Sequence, residues 1–145
     1  NILCKLGCDF SVLDGDIAII SSSLEMSAAI QDVITSVHRK PSILIGINGG
    51  VFAERINQIL KIIEDEKMSN TVIFHYVGFE DNYSQIIDGI NFYQSSSIDP
   101  LPIILRIPNL SSKDIGKQID PEKLKIASSL EKISTLMVEN THGKR

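Results

Sequence analysis

Short isoleucine-rich runs bounded by turn residues constrain this chain more than any other feature. Ile43–Ile47, Thr71–Val77 and Leu101–Leu105 are stretches dominated by apolar and β-branched residues, without strict polar alternation. Runs of this length read as strands buried on both faces, the pattern of a parallel sheet covered by helices. They fall far below the roughly 20 residues that a membrane-spanning helix needs. Between them, apolar residues recur at helical spacing. One stripe is Met26, Ala29, Ile30, Val33, Ile34 and Val37; a second is Phe52, Ile56, Ile59, Leu60 and Ile63. Tyr83, Ile86, Ile87 and Ile90 form a third, and Leu130, Ile133 and Met137 a fourth. Strand and helix therefore alternate, and that alternation predicts a doubly wound α/β domain.

Local signals set the expected boundaries. Ser22 and Glu25 have capping-box spacing, as do Asn82 with Gln85 and Ser128 with Glu131, so each pair is expected to start a helix. Pro41 stops the segment before it, and Asn48-Gly49-Gly50 breaks the second parallel strand. Pro100 and Pro102 are confined to the start of the Leu101–Leu105 strand, where a missing donor is tolerated. A short helix is expected around Ser112–Ile119, a weaker fifth strand at Leu124–Ala127, and fraying after Glu139. At the other end, Phe10–Leu13 and Asp16–Ile20 flank Asp14-Gly15, a two-residue hairpin signal whose turn positions favour positive φ. The expected fold is a three-layer, flavodoxin-like five-stranded parallel sheet of order 2-1-3-4-5 with an added N-terminal hairpin strand. In that order Ile43–Ile47 lies at one edge and Leu124–Ala127 at the other. All 145 residues read as one domain with a core over about residues 9–140.

Composition excludes several classes. Fourteen basic against 18 acidic residues give a net charge of −4 with no basic stripe, which argues against a nucleic-acid partner. Cys4 and Cys8 are the only cysteines, and no second Cys/His cluster completes a four-ligand zinc site. Two reduced thiols in a cytosolic or mitochondrial-matrix compartment are expected. The chain opens at Asn1 without an initiator Met or a signal pattern, as expected of a piece of a longer protein or a processed product.

In doubly wound folds, ligands sit beyond the carboxyl ends of the strands. Four turns meet there: Ser21–Ser23, Asn48–Gly50, Gly78–Asn82 and Pro108–Ser112. Ser21, Ser22 and Ser23 either cradle an anion with hydroxyls and helix amides or merely cap and solvate, and Glu25 nearby repels an anion. Asn48, Gly49 and Gly50 either let backbone approach a ligand or simply make a tight turn. Glu80 and Asp81 either do acid/base work as adjacent acids or form a solvated pair with a favourable charge near a helix start. His75 reads as a packed residue inside a strand, His38 as a helix-end residue and His142 as part of the tail. No histidine has a Ser or Cys partner nearby in sequence, so no catalytic residue is assigned. No Gly-x-x-x-x-Gly-Lys loop occurs, and no metal site is assigned.

Taken in order, several segments resemble one known domain: Leu13-Asp14-Gly15-Asp16-Ile17, Asn48-Gly49-Gly50, Glu54-Arg55-Ile56, Leu60-Lys61-Ile62-Ile63, Ile87-Asp88-Gly89-Ile90 and Pro102-Ile103-Ile104-Leu105-Arg106. The domain is the C-terminal CoA-ligase domain of the succinyl-CoA synthetase β subunit, shared with malate–CoA ligase and ATP-citrate lyase. The likeness covers about residues 9–140 and implies the same flavodoxin-like fold.

The resemblance further implies the C-terminal domain of a β-type subunit of a nucleotide-dependent acid–CoA ligase. Its partners are then an ATP-grasp portion of the same chain and an α-subunit-like chain carrying CoA and a phosphohistidine. CoA, ATP or GTP, and Mg²⁺ belong to that assembly, with no cofactor in this domain, and tricarboxylic-acid-cycle chemistry in the mitochondrial matrix or cytoplasm is implied. Such domains help to hold the carboxylate substrate and present a helix N-terminus to the phosphohistidine. Here the family's Asn-Gly-rich turn after the first parallel strand is replaced by Ser21-Ser22-Ser23-Leu24-Glu25. Its Gly-Gly-Ile turn after the third is replaced by His75-Tyr76-Val77-Gly78-Phe79, retaining one glycine, Gly78, ahead of Glu80 and Asp81. Ser21–Ser23, Asn48–Gly50 and Gly78 are thus the candidate substrate- or phosphate-side residues. The alternative is a non-catalytic assembly subunit derived from the same family.

Overall fold

In the computed structural model, residues 2–110, 115 and 122–143 are described. Among them one sheet contains β1 (Cys8–Val12), β2 (Ile17–Ser21), β3 (Pro41–Ile47), β4 (Thr71–His75), β5 (Ile103–Arg106) and β6 (Leu124–Ile126), in the order β1-β3-β2-β4-β5-β6. Strands β2 to β6 are parallel and give the expected 2-1-3-4-5 order; β1 is antiparallel. Helices α1 (Ile2–Lys5), α2 (Ser27–Thr35), α3 (Ala53–Asp65), α4 (Tyr83–Ser96) and α5 (Leu130–Gly143) complete the description. This is a flavodoxin-like three-layer α/β architecture with one extra antiparallel strand. Apart from helical Ile115, the helix expected over Ser112–Ile119 lies outside the described residues.

The N-terminal strand corrects the hairpin expectation. β1 pairs with β3, from Cys8 against Ile47 to Val12 against Ile43, and β3 lies between β1 and β2. The Asp14-Gly15 turn therefore steps across the start of β3 instead of closing a two-residue hairpin. Leu13 N–H donates to Ser42 O (2.8 Å), Gly15 N–H to Pro41 O (2.9 Å) and Asp16 N–H to Lys40 O (3.0 Å). Gly15 does not adopt positive φ. Its lack of a side chain serves close approach, since a Cβ there would lie 2.0 Å from Lys40 O. β1 also covers the outer side of β3, so Ile43–Ile47 is not the sheet's edge strand.

The two faces of the sheet pack differently. Ala18, Ile20, Ile43, Ile45, Val72, Phe74, Ile103 and Leu105 face α3 and α4. Ile17, Ile19, Ile73 and Ile104 face α2 and α5, meeting Ile30, Ile34, Ile133 and Met137. Gly89 of α4 brings α3 unusually near: a Cβ there would sit 2.7 Å from Ala53 O and 2.8 Å from Ile56 Cβ.

Helix starts also depart from the capping-box readings. Helix α2 begins at Ser27, after a turn closed by Met26 N–H to Ser23 O (3.1 Å) and Ser27 N–H to Leu24 O (3.1 Å). Ser22 is drawn away to another strand end, as described below. Asn82 does stand at the N-cap of α4, but without a side-chain cap hydrogen bond. Ser129, one residue beyond the expected Ser128, caps α5 by accepting from Lys132 N–H (3.1 Å). Helix α5 continues past Glu139 to Gly143.

Candidate functional site at the carboxyl edge of the sheet

On the α2/α5 side the apolar columns end in one polar row. Register pairs Ser21 with both Gly46 and His75, and His75 with Arg106, so these four residues cross the sheet at one level. Gly46 admits the following turn, since a Cβ there would lie 2.8 Å from Leu24 N. Ser21 Oγ donates to Ser23 O (2.6 Å). Arg106 Nη1 lies 3.0 Å from His75 Nε2. A guanidinium can only donate, so Nε2 accepts and the neutral ring carries its proton on Nδ1. Burial first, and the Arg106 charge second, hold the His75 pKa below its ordinary value. Nδ1 of His75 and Nε of Arg106 are buried without a hydrogen-bond partner.

The turn after β4 is fastened from two directions. Val77 N–H donates to Ser22 Oγ (2.8 Å), and Ser22 Oγ donates to Val77 O (2.9 Å). One hydroxyl thus pins the chain leaving β2 to the chain leaving β4. Tyr76 folds its ring over Gly78, where a Cβ would lie 2.3 Å from the phenol oxygen. Asn82 Nδ2 donates to that oxygen (2.7 Å), and Tyr83 meets the Tyr76 ring edge-on with centroids 6.3 Å apart.

The turn after β3 is built likewise. Asn48 Nδ2 donates to Asp9 Oδ2. Gly49 holds φ at 79°, a conformation that glycine adopts without a Cβ clash. Phe52 folds back over Gly50, where a Cβ would lie 2.2 Å from the ring. Arg55 fixes the arrangement from α3, donating from Nε to Leu6 O (2.7 Å) and from Nη1 to Gly50 O (2.7 Å), with Nη2 3.7 Å from Cys8 Sγ. Burial raises the Cys8 thiol pKa, outweighing the opposing pull of Arg55. Gln85 of α4 caps α3 by accepting from Ala53 N–H (3.0 Å).

The structure therefore brings Ser21–Ser23 and the Gly78 turn together, with Asn48–Gly50 at the neighbouring helix start. It also shows how their polar groups are engaged. The Ser21 and Ser22 hydroxyls and the Asn48 amide bond to the protein itself, and aromatic rings fill the space beside Gly50 and Gly78. Glu80 and Asp81 are exposed in a 3-10 turn ahead of α4, as their sequence context implies. Residues 111 and 112, at the end of the fourth turn, lie outside the described residues. Sequence reasoning missed Arg55, Arg106, Tyr76 and Asp9. Arg55, Arg106 and Tyr76 stand in the segments that carry or depart from the resemblance, but nothing in the sequence marks which distant groups they reach. Among the described residues, no group of three or more His, Cys, Asp and Glu side chains is placed to hold a metal ion. No described helix is long and apolar enough to cross a membrane.

The fold and its gathered turns define the class: a flavodoxin-like α/β domain whose distinctive residues lie beyond the carboxyl ends of its strands. No family model matches the chain. Curated relatives do. It is 24% identical over 119 residues to the succinate–CoA ligase [ADP-forming] subunit β of Staphylothermus marinus, covering 82% of this chain and 31% of the relative. The subunit of the same name from Halorubrum lacusprofundi is 21% identical over 138 residues, 94% of this chain and 36% of the relative. That of Methanocaldococcus jannaschii is 28% identical over 86 residues, 59% of this chain and 24% of the relative. The chain thus spans between about a quarter and about a third of these relatives' length. At these identities the chain is similar, divergently, to part of a CoA-ligase β subunit.

Proposed function

We propose that this chain is the C-terminal portion of a β-type subunit of a nucleotide-dependent acid–CoA ligase, contributing subunit contacts and the substrate-side surface of a larger assembly. The observation that carries this reading is the match to β subunits over 82% and 94% of the chain, with the doubly wound fold agreeing. In that assembly an ATP-grasp portion supplies nucleotide and Mg²⁺ chemistry, and an α-type chain supplies CoA binding and the phosphorylated histidine. The free thiols of Cys4 and Cys8 agree with a reducing compartment, matrix or cytoplasm.

A second reading, an assembly subunit without its own chemistry, is favoured by one feature: the side-chain donors at the edge are engaged within the domain. Ser22 and Asn48 hold neighbouring segments, and Ser21 bonds within its own turn to Ser23 O. Both readings are tested by purifying the full-length gene product with the α-type subunit of the same genome. Thioester formation is then assayed with CoA, ATP or GTP, and succinate, malate or citrate. The ligase reading expects acid-dependent turnover from the complete assembly and none from the 145-residue chain. A complete assembly that forms stably yet shows no turnover with any acid leaves the assembly-subunit reading. Micromolar binding of ATP-Mg²⁺ to the isolated chain contradicts the division of labour in both.

A further inference from the structure

We propose that the free side of β1 pairs with the same strand of a second copy of this chain, antiparallel about a two-fold axis at Phe10, so that one sheet runs through both copies. Among the described residues β1 is the outermost strand, bonded to β3 on one side only. Its register with β3 runs unshifted from Cys8 to Val12. Leu13 N–H donates to Ser42 O (2.8 Å), so at period two Leu13, Ser11 and Asp9 are the residues whose backbone meets β3. The N–H and C=O groups of Cys8, Phe10 and Val12 therefore point outward. Such a row is a template for another strand unless the edge is blunted. The opposite edge is blunted: β6 is three residues long, Leu124–Ile126, with Lys125 inside it and Lys123 just ahead. β1 has no Lys, Arg or Pro, and its Val12 is 66% exposed.

The residues of the strand select a second copy as the occupant. Overlapping all of Cys8–Val12 antiparallel on itself sets Phe10 against Phe10 and Cys8 against Val12. Each is an outward pair that exchanges two hydrogen bonds. Half-buried Phe10 and exposed Val12 then gain apolar cross-strand neighbours. Asp9 is the strand's one charge. The pairing sets it against Ser11 and not against itself, and Asn48 Nδ2 already donates to its carboxylate. The strand thus offers little charge to draw a basic or acidic segment instead. At the flanks, exposed Lys5 precedes β1 and exposed Asp14 follows it. A two-fold brings the start of one strand to the end of the other, so opposite charges share each end of the contact. The contact lies on the far side of β3 from the Ser21–Ser23 and Gly78 turns, so it does not compete with the role proposed above.

The test is sedimentation of the full-length gene product over a range of concentrations, alone and with the α-type subunit of the same genome. Self-association is expected. Val12→Pro removes an outward N–H at a place where an edge strand tolerates proline, and is expected to weaken the association about tenfold. Lys5→Glu is expected to weaken it about fivefold at low salt, since the contact occurs twice. Adding Asp14→Lys to Lys5→Glu is expected to restore it, a rescue that requires a second copy in this orientation. Thermal melts at a dilution that separates the copies check folding, and if Val12→Pro itself melts early the charge pair decides. A full-length protein that stays monomeric at high concentration overturns the proposal. So does self-association that neither Val12→Pro nor the charge variants alter, or an edge covered by a different chain. None of these outcomes touches the ligase reading, whose own test is acid-dependent turnover.

Discussion

The two faces of the sheet end differently at the carboxyl edge. Toward α3 and α4 the apolar columns run through it, finishing in buried Ile47, Tyr76 and Ile107. Toward α2 and α5 they stop one level earlier, and the last row is Gly46, Ser21, His75 and Arg106. On the α3/α4 face the strands thus end in apolar residues, and the polar contacts come from the helices, as where Tyr93 Oη donates to Glu64 Oε1 (2.6 Å). The α2/α5 face trades its last apolar layer for polar groups whose buried atoms are incompletely paired, a costly arrangement for stability. Along the strand ends, polar side chains are thus gathered on one side of the sheet.

The sharpest way to break this comparison is to remove a large side chain from the apolar face. Phe74 is fully buried between Ile20 and Leu105 in register. Phe74→Ala is expected to cost about 3–5 kcal/mol, read as a lowered urea midpoint at unchanged slope. A loss below about 1 kcal/mol would show that this face is not the main source of stability. A smaller effect is expected at Gly89. Alanine gains about 1 kcal/mol of helix propensity over glycine, but its Cβ would press on Ala53 O and Ile56. Overpacking of that kind costs about 1–3 kcal/mol, so Gly89→Ala is expected to be neutral to destabilising by about 2 kcal/mol. Clear stabilisation would mean that α3 and α4 separate easily.

Smaller again is the clasp between the exits of β2 and β4. Ser22→Ala leaves Val77 N–H without its partner, but this exposed amide can turn to water. A loss of about 1 kcal/mol is expected, with faster hydrogen exchange at Val77 as the specific sign. Unchanged exchange there would remove the clasp from the description of the edge.

How legible the domain was in its sequence follows the same division. The Ile-rich runs revealed the parallel strands, because burial on both faces leaves a continuous apolar signature, and their order followed from the flavodoxin-type doubly wound arrangement. Asp14-Gly15 misled because it carries the hairpin signal yet serves close approach to Lys40 and Pro41, about 25 residues ahead. Ser22 misled likewise: capping-box spacing describes a local choice, whereas its hydroxyl meets Val77, 55 residues away. Phe52 followed the helical stripe but lies over Gly50, outside the helix. Tyr83, by contrast, follows its helical stripe and is buried, meeting Tyr76 edge-on. Periodicity reports burial; it does not report which distant backbone group a polar side chain will reach.

The finest test of the comparison is the response of the polar row to pH. His75 has a lowered pKa in the folded protein, from burial first and Arg106 second, against an ordinary value of 6.5. As pH falls through 6.5, the unfolded chain binds a proton at this histidine before the folded one does, so stability declines. The decline ends below the lowered folded pKa, where both states are protonated. Above 6.5 both states are neutral and the contribution is flat. The wild-type urea midpoint is therefore expected to drop between about pH 7.5 and pH 5.5, before most carboxylates titrate. His75→Gln removes the titrating group and should flatten that slope, and NMR should find the His75 ring still neutral at pH 6.5, where an ordinary imidazole is half protonated. A His75 ring that titrates at the ordinary value of 6.5 would show that the last row of the α2/α5 face is open to solvent, and the contrast between the faces would then lie in exposure instead of in buried polarity.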